Sequence, residues 1–272
     1  MTFRKLLIVL ALALAPIAAH AALKPGAPTV LITGANRGIG FELAKQFAEK
    51  GWNVIATARR PADDPALKDL QALAAKHPAV AIERIDVTDT AMIRSVAARY
   101  EDQPLDVLIN NAAAVEATFA ADLEKVNIPY DKVDFDAARY DFDVNTLGPM
   151  RMIQAFMPQV KASKQKKIVN VTSFIGSFGR VGGSSAMGMN YGASKAALNM
   201  YSVKLHHAVK GDGVIVALVE PVLVASKPGV SGNPMAKPLD EEVGKLVKII
   251  ENLTPESSGK ITNFSTGETD PF

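Results

Sequence analysis

One segment near the N-terminus restricts the possible folds of this chain more than any other, because three local patterns follow one another within it. An aliphatic run, Val30-Leu-Ile-Thr33, leads into the glycine-rich turn Gly34-Ala-Asn-Arg-Gly-Ile-Gly40, and apolar residues then recur at four-residue spacing before Gly51. Glycine permits a tight turn, and the N-terminus of a helix presents unpaired N–H groups to an anion. The segment therefore predicts a strand, a turn and a helix that bind a pyrophosphate, although an ordinary strand-to-helix turn is compatible with the same sequence.

Strand and helix patterns continue to alternate along the rest of the chain. Near-continuous aliphatic strands that alternate with helices indicate a parallel sheet covered on both faces. We therefore predict an α/β fold with a single Rossmann-type, doubly wound parallel sheet of about seven strands and helices on both faces. The predicted strands are residues 29–33, 53–57, 80–86, 105–110, 167–173, 214–220 and 261–264. The predicted helices lie near residues 39–50, 65–76, 92–101, 137–163, 189–210 and 241–252.

Tyr191 and Lys195 lie four residues apart in the last but one of these helices, so their side chains should project from the same face. A fixed ammonium group stabilises a phenolate over a phenol, and we therefore expect Lys195 to lower the pKa of Tyr191 toward neutral pH. Such a tyrosine can act as a general acid/base on an alcohol oxygen. A solvated pair on the surface of a helix would show the same spacing.

Four further short motifs occur between the glycine-rich turn and this pair. They are Asp86-Val-Thr, Asn110-Asn-Ala-Ala113, Asn145 within Asp-Val-Asn-Thr, and Asn170-Val-Thr-Ser173. With these motifs in this order, the chain resembles the short-chain dehydrogenase/reductases from about Pro28 to its C-terminus. It looks like the carbonyl-reductase-like subgroup of that family, which includes bacterial C-signal proteins and insect sniffer reductases.

The resemblance implies four catalytic residues. Tyr191 would donate a proton to a carbonyl oxygen while hydride arrives from a nicotinamide, and Lys195 would lower the pKa of this tyrosine and bind the nicotinamide ribose. Ser173 would hold the carbonyl oxygen. Asn145 would hold a water that relays protons to Lys195, or its buried amide would only brace the helix.

The resemblance also implies a nicotinamide dinucleotide along the glycine-rich turn. Gly34, Gly38 and Gly40 would line its pyrophosphate, with Ile39 near the nicotinamide end. Asp86 and Val87 would meet the adenine, unless Asp86 is only the N-cap of the next helix. Asn110 would brace the sheet and approach the adenosine. The remaining expected contacts are Tyr191, Lys195, Pro221 and Val224 at the nicotinamide end, and the hydroxyl of Ser226 at a phosphate.

The choice between NAD and NADP depends on the segment after the second predicted strand, Thr57-Ala-Arg-Arg60. It has no acidic residue to bind an unphosphorylated ribose. Arg59, and Arg37 from the glycine-rich turn, can instead bind a 2′-phosphate. We therefore predict NADP(H) as the cofactor, unless an arginine here merely pairs with an acid such as Asp63.

These residues together predict an NADP(H)-dependent oxidoreductase that reduces a small ketone or aldehyde to an alcohol, or catalyses the reverse reaction. The alternative is an NADP-binding sensor or signalling protein of the same fold without significant turnover. The resemblance further implies a homodimer or homotetramer and a substrate loop near residues 227–239. The charges are scattered, with a formal net charge of +2, and favour no nucleic-acid partner. The isolated histidines predict no metal site.

The first 21 residues have the composition of a secretory signal peptide. Arg4-Lys5 precedes an apolar run over residues 6–14, and Ala19-His-Ala21 supplies the small residues of a cleavage site. The run is too short for a comfortable membrane span, and we expect no stable span after cleavage. We predict cleavage after Ala21, export to the bacterial periplasm, and one dehydrogenase domain over residues 22–272. A cytoplasmic or membrane-tethered protein is the alternative.

Overall fold

The structure, a computed structural model of the 272-residue chain, describes residues 23–114, 130–181, 188–226 and 233–272. Its strands are β1 (Thr29–Ile32), β2 (Asn53–Ala58), β3 (Val80–Arg84), β4 (Val107–Asn110), β5 (Lys167–Val171), β6 (Ile215–Glu220), β7 (Ile261–Asn263) and β8 (Thr269–Asp270). They form one sheet in the order β3-β2-β1-β4-β5-β6-β7-β8. Neighbouring strands are parallel except for β7 and β8, which are antiparallel.

Helices cover both faces of this sheet. In the described ranges they are α1 (Gly38–Glu49), α2 (Lys68–Lys76), α3 (Thr90–Arg99), α4 (Phe135–Phe142), α5 (Gly148–Ala162), the short α6 (Phe178–Val181), α7 (Met189–Val209) and α8 (Leu239–Glu251). Successive strand residues point to opposite faces, so β1 contributes to two apolar cores. Val30 shares one core with Phe47 of α1, and Leu31 shares the other with Phe156 of α5. Burial of a side chain of this size stabilises the fold by about 1.5–3 kcal/mol.

The strand order reverses at β1, which pairs with β2 on one side and with β4 on the other. In open α/β sheets, ligands bind outside the carboxyl ends of the strands at such a switch point. The glycine-rich turn follows β1 directly, and Asn111 follows β4. The topology therefore places both segments beside the same crevice.

The structure confirms the predicted α/β fold class and the doubly wound sheet, and each predicted strand is present with small differences at its ends. It adds β8, which has only two residues and is too short to leave an alternating pattern in the sequence. The helix predicted over residues 137–163 is present as continuous helical backbone, but its hydrogen-bonding pattern changes in the middle. A π-helical turn, Asp143–Leu147, separates α4 from α5.

Two other predictions fall wholly or partly outside the described residues. The predicted signal peptide, residues 1–21, lies outside them, as do residues 227–232 of the predicted substrate loop. Within the described ranges, none of the helices combines the length and the hydropathy that crossing a bilayer requires.

Candidate active site

The glycine-rich turn adopts a conformation that side chains would disturb. Gly34 and Gly38 have φ angles of +67° and +57°, in the left-handed region that favours glycine. A Cβ atom at Gly40 would lie 2.3 Å from the carbonyl oxygen of Gly34 and 2.5 Å from Nδ2 of Asn111. No side chain caps the N-terminus of α1, and its first turn holds no acidic residue. The turn therefore presents backbone N–H groups that fit a pyrophosphate.

A cleft of about 420 Å³ opens beside this turn, across the carboxyl ends of β1 to β4. Most of the residues predicted to bind the cofactor line it: Gly34, Arg37, Gly38, Ile39, Gly40, Arg59, Asp86, Val87 and Ser226. The other predicted contacts are not among its lining residues: Asn110, Tyr191, Lys195, Pro221 and Val224. Sequence analysis missed further lining residues, among them Asn111, Ala112, Leu67, Tyr140 and Val144.

Two consecutive arginines at the end of β2 have different partners. The Arg60 guanidinium forms an ion pair with Asp64, with 3.1 Å between Nη1 and Oδ2. Arg59 donates from Nη1 to the hydroxyl oxygen of Tyr140 over 2.8 Å. In the described part of the chain, no carboxylate forms an ion pair with Arg59. The alternative interpretation, in which an arginine of this segment only pairs with a nearby acid, therefore applies to Arg60. The positive charge of Arg59 is not balanced by such a pair and remains available at the cleft.

Asp86 also lies at the cleft, and the structure decides between its two interpretations. The N-cap of α3 is Asp89, whose side chain accepts a hydrogen bond from the Met92 backbone N–H over 2.9 Å. Asp86 instead accepts at Oδ1 from the backbone N–H and the hydroxyl of Thr88, over 3.0 and 2.7 Å. The N-cap interpretation of Asp86 is therefore wrong.

Asn110 is the last residue of β4 and is not among the residues that line the cleft. Its Nδ2 donates to Oδ1 of Asn170 over 2.8 Å, and Asn170 donates in turn to Ser202 of α7 over 2.9 Å. Its buried amide thus braces β4, β5 and α7, as expected, but does not reach the cleft. Asn111 lines the cleft and donates from Nδ2 to the Thr33 carbonyl oxygen over 2.9 Å. The alternation of a strand places the two asparagines on opposite faces, and this was the signal available in the sequence.

Ser173, Tyr191 and Lys195 meet beyond the carboxyl end of β5. Ser173 follows β5, while Tyr191 and Lys195 lie in the first two turns of α7. A side-chain hydrogen bond joins Ser173 to the Tyr191 phenol. The Lys195 amino group lies 5.6 Å from the centroid of the Tyr191 ring and donates to the Val171 carbonyl oxygen over 2.8 Å. The structure therefore brings a phenol, a hydroxyl and an amine together.

The pKa of Tyr191 is shifted in the direction opposite to the one predicted from the sequence. Burial raises it to about 12, against the lowering effect of the hydrogen bond from Ser173, and the negative charge of Asp141 raises it further. Burial also lowers the pKa of Lys195 to about 8. The removal of water penalises the charged form of each group, and burial is the largest cause of both shifts.

Close packing between α7 and the turn after Ser173 sets the distance between the catalytic groups. A Cβ atom at Gly176 would lie 2.6 Å from Cβ of Lys195, and one at Gly192 would lie 2.8 Å from Cγ2 of Ile175. Asn199 of α7 donates from Nδ2 to the Gly176 carbonyl oxygen over 3.0 Å and accepts from the Thr172 hydroxyl. The two glycines and this amide clamp Ser173 against the helix that bears Tyr191.

Asn145 lies in the π-helical turn and connects the cleft to α7. Its Oδ1 accepts from the Ala114 N–H and its Nδ2 donates to the Ala114 carbonyl oxygen, each over 2.8 Å. The same Nδ2 donates to the Ser194 hydroxyl over 3.0 Å, and Ser194 donates to the Tyr191 carbonyl oxygen over 2.7 Å. The amide therefore braces the site. Its role in holding a relay water stays a prediction.

The segment after β6 returns to the glycine-rich turn. Val224 is buried and forms an isolated parallel bridge with Lys237. A Cβ atom at Gly38 would lie 3.4 Å from Cβ of Ser226, so Ser226 faces the turn. Residues 233–238 then lead from the bridge into α8. No group of three or more histidine or acidic side chains that could hold a metal ion occurs among the described residues.

Comparison with known proteins places this geometry in one family. Residues 28–235 match the family model described as short chain dehydrogenase. A 1-hydroxy-2-glutathionyl-2-methyl-3-butene dehydrogenase of Rhodococcus sp. (strain AD45) is 33% identical over 238 residues, which cover 85% of this chain and 94% of that protein. An NADP-dependent 3-hydroxy acid dehydrogenase of Salmonella typhi is 33% identical over 231 residues, 84% of each chain.

Solved structures give the same result for the fold. The NADPH-bound carbonyl reductase from chicken fatty liver superposes with a TM-score of 0.79 at 29% identity, over 90% of this chain and 99% of that one. The carbonyl reductase Sniffer of D. melanogaster superposes with a TM-score of 0.78 at 24% identity, over 90% of this chain and all of that one (100%). The second likeness shows the fold alone.

Proposed function

Because the chain belongs to the short-chain dehydrogenase family, and so to the oxidoreductases, we propose that it is an NADP(H)-dependent enzyme that interconverts a ketone or aldehyde and its alcohol. The observation that carries the proposal is the hydrogen-bonded pair of Ser173 and Tyr191 beside Lys195. This cluster is joined to the cofactor cleft through Asn145, which bonds both Ala114 and Ser194.

The residues of the cleft support NADP(H) over NAD(H). Arg59 offers an unneutralised guanidinium at the end of β2, and Arg37 lines the same cleft. A guanidinium binds a phosphate through charge-assisted hydrogen bonds, whereas an unphosphorylated ribose is usually held by an acid at this strand end. The chicken carbonyl reductase and the Salmonella relative are both described by their names as NADP(H) proteins.

In the proposed mechanism, the bound cofactor supplies the hydride. The Ser173 hydroxyl donates a hydrogen bond to the substrate carbonyl oxygen and holds it within reach of Tyr191. Tyr191 donates its proton to the same oxygen as negative charge develops there. Because burial raises the pKa of Tyr191 to about 12, the phenol is protonated at neutral pH and carries the proton that the reduction of a carbonyl consumes. Lys195 contributes positive charge beside the ring.

Replacement of the phenol tests this assignment. We expect Tyr191→Phe to reduce kcat for NADPH-dependent carbonyl reduction by at least about 100-fold, and to leave the dissociation constant of NADPH unchanged. Tyr130→Phe, an equally conservative change at an exposed tyrosine that is not among the residues lining the cleft, is the matched control and should keep full activity. Steady-state kinetics with a panel of ketones and aldehydes, together with calorimetric titration of NADPH, provides both measurements.

Two outcomes would contradict the proposal. Turnover that survives in Tyr191→Phe would remove the tyrosine from the chemistry. Tight NADPH binding without activity on any carbonyl or alcohol of the panel would favour the sensor or signalling protein instead.

We also propose that residues 1–21 are a signal peptide, that cleavage follows Ala21, and that the domain of residues 22–272 acts in the periplasm. The support is the composition of this segment. Intact-mass measurement of the protein from fractionated native cells should find Ala22 as the first residue. A full-length chain in the cytoplasmic fraction would contradict this location.

We propose further that two or four copies assemble through the outer face of α7. Met200 and Tyr201 are neighbours on this helix and are 60% and 44% exposed, and adjoining exposed apolar side chains can form part of a contact surface. Sedimentation velocity should show a dimer or tetramer that Met200→Glu weakens, and a monomeric wild type would contradict it.

The substrate loop near residues 227–239 stays a proposal, tested by protection from proteolysis when NADPH and a substrate alcohol are added.

A further inference from the structure

A hydrogen bond crosses the cofactor cleft at its arginine-rich edge. The Arg59 guanidinium donates from Nη1 to the Tyr140 hydroxyl oxygen over 2.8 Å, and 81 residues separate the two along the chain. Both residues line the cleft. Tyr140 is 46% exposed, so its hydroxyl faces a space that a ligand can enter.

The backbone of α4 holds Tyr140 in this position. Asp134 caps the helix and accepts from the N–H groups of Asp136 and Ala137 over 2.8 and 3.1 Å. Tyr140 of α4 and Val144 of the adjoining π-helical turn both line the cleft, so this side of the helical segment is directed into it. The buried Asp141 faces Tyr191 instead, since its charge acts on that phenol. The tyrosine is thus positioned before any ligand binds.

The charges around Tyr140 make this edge of the cleft attractive to a phosphate. Arg60 is neutralised by Asp64, but Arg59 is held by a phenol, which accepts its hydrogen bond without cancelling its charge. A third cation lies nearby, because Arg84 donates from Nε to the backbone carbonyl oxygen of Arg59 over 3.2 Å. In the ranges that the structure describes, neither Arg59 nor Arg84 forms an ion pair with a carboxylate.

We propose that Tyr140 is a specificity residue for the 2′-phosphate of NADP(H), an inference that rests on the proposed function. Its hydroxyl oxygen accepts from Arg59 and keeps the guanidinium directed over the cleft. Its O–H donates a hydrogen bond to the phosphate that Arg59 binds. The 2′-hydroxyl of NAD(H) carries no charge and gains little from either contact, so the pair discriminates between the two cofactors.

Removal of one oxygen atom tests this role. We expect Tyr140→Phe to weaken the binding of NADPH about tenfold, the effect of losing a hydrogen bond to a charged group, and to leave the binding of NADH unchanged. Calorimetric titration measures both dissociation constants without turnover. The same titration with 2′,5′-ADP and 5′-AMP isolates the phosphate, and only 2′,5′-ADP should bind more weakly to the variant.

Two matched variants complete the experiment. Tyr130→Phe removes the hydroxyl of an exposed tyrosine that is not among the residues lining the cleft and should change no dissociation constant. In an Arg59→Met background, Tyr140→Phe should have a smaller effect than in the wild type, because the two residues act on one phosphate.

The possible failures are distinguishable. A wild type that prefers NADPH, combined with a Tyr140→Phe variant that binds both cofactors as before or loses both equally, would overturn the role of Tyr140 alone. A wild type that binds NADH as tightly as NADPH would overturn the proposed cofactor and the role of Tyr140 with it.

Discussion

Tyr191 and Lys195 are four residues apart on α7, and burial shifts their pKa values in opposite directions. It raises the pKa of Tyr191 to about 12 and lowers that of Lys195 to about 8. Each shift favours the neutral form of the group. At neutral pH the phenol of Tyr191 is therefore protonated and can act as a proton donor. The amine of Lys195 is also mostly protonated, but it releases its proton more readily than an ordinary lysine. In this state the site holds the proton that a developing alkoxide would take up.

A prediction at the residue scale concerns the effect of the buried Lys195 on the free energy of unfolding. An ordinary lysine has a pKa near 10.5 and Lys195 one of about 8, so the buried ammonium lowers the free energy of unfolding by about 3 kcal/mol at neutral pH. We expect Lys195→Met to gain about 2 kcal/mol at neutral pH, after the loss of the bond to Val171, and to lose catalytic activity.

The pH dependence gives this prediction its sign. Because the pKa of Lys195 is lower in the folded state than in the unfolded state, the free energy of unfolding of the wild type should increase as the pH rises from about 8 toward 10.5. Over the same pH range, the stability advantage of Lys195→Met over the wild type should disappear. Urea unfolding followed by circular dichroism measures it, with the exposed Lys204→Met on the same helix as control. A less stable Lys195→Met variant at neutral pH would show that the ammonium stabilises the fold.

At the scale of elements, the active site is a contact between the end of β5 and the first turns of α7. Gly176 and Gly192 let the two backbones approach, and Asn199 joins them through Thr172 and the Gly176 carbonyl oxygen. The π-helical turn adds a third element, since its Asn145 bonds Ala114 at the cleft and Ser194 on α7. Cleft and catalytic cluster are thus fixed relative to each other by side chains that need not touch the substrate.

The prediction at this scale is that a single methyl group displaces Ser173. In Gly176→Ala, the new Cβ would meet Cβ of Lys195 at 2.6 Å and the backbone nitrogen of Ala196 at 2.8 Å, so the turn must move away from α7. We expect a loss of about 1–3 kcal/mol in the free energy of unfolding from overpacking. We also expect a fall in kcat of about 100-fold from misplacement of the serine.

Gly211→Ala is the matched control, because nothing lies within 4 Å of a Cβ atom at that position. Kinetics and chemical denaturation of both variants make the comparison. Unchanged kcat in Gly176→Ala, at any stability, would mean that the distance between Ser173 and α7 is not critical.

At the scale of the whole molecule, an ion cluster joins three parts of the chain that are distant in sequence. Nη1 of Arg180, in α6, lies 2.9 Å from Glu220 at the end of β6 and 2.9 Å from Asp270 in β8. The end of the chain also binds the segment after Ser173, because the Gly179 N–H donates to the Phe272 carbonyl oxygen over 2.7 Å. The cluster thus connects the last strand to the segment that leads from Ser173 to α7.

Glu220 makes the stability of the molecule depend on pH. Burial raises its pKa to about 7, and the negative charge of Asp270 raises it too, against the lowering effect of Arg180. A raised carboxyl pKa means that the folded state binds the proton more tightly than the unfolded state. The free energy of unfolding should therefore fall as the pH rises from about 4.5 to about 7, by about 3 kcal/mol in total from this group.

Glu220→Gln should remove this dependence. We expect the variant to match the wild type near pH 4.5 and to be up to about 3 kcal/mol more stable near pH 8, while the exposed Glu241→Gln behaves as the wild type throughout. Thermal and urea unfolding across this pH range measure the difference. A variant that is less stable near pH 8 would mean that the ion pair with Arg180 outweighs the cost of burying the carboxylate.

The sequence by itself determined the features that depend on neighbouring residues. The alternation of strands with helices predicted the doubly wound sheet, because hydrophobic periodicity depends only on spacing within one element. The glycine-rich turn was readable from Gly34 to Gly40, since the sterics of a tight turn are local. The shared helix face of Tyr191 and Lys195 follows from four-residue spacing.

Only the tertiary structure decided what depends on contacts between distant segments. It showed that Asn111 rather than Asn110 lines the cleft, that Asp64 neutralises Arg60 and leaves Arg59 to Tyr140, and that burial reverses the expected pKa shift of Tyr191. Desolvation and charge pairing are set by everything that surrounds a group, and most of those atoms come from other parts of the chain. Local sequence patterns therefore fix which residues form the elements, whereas the packing of those elements fixes what the residues can do.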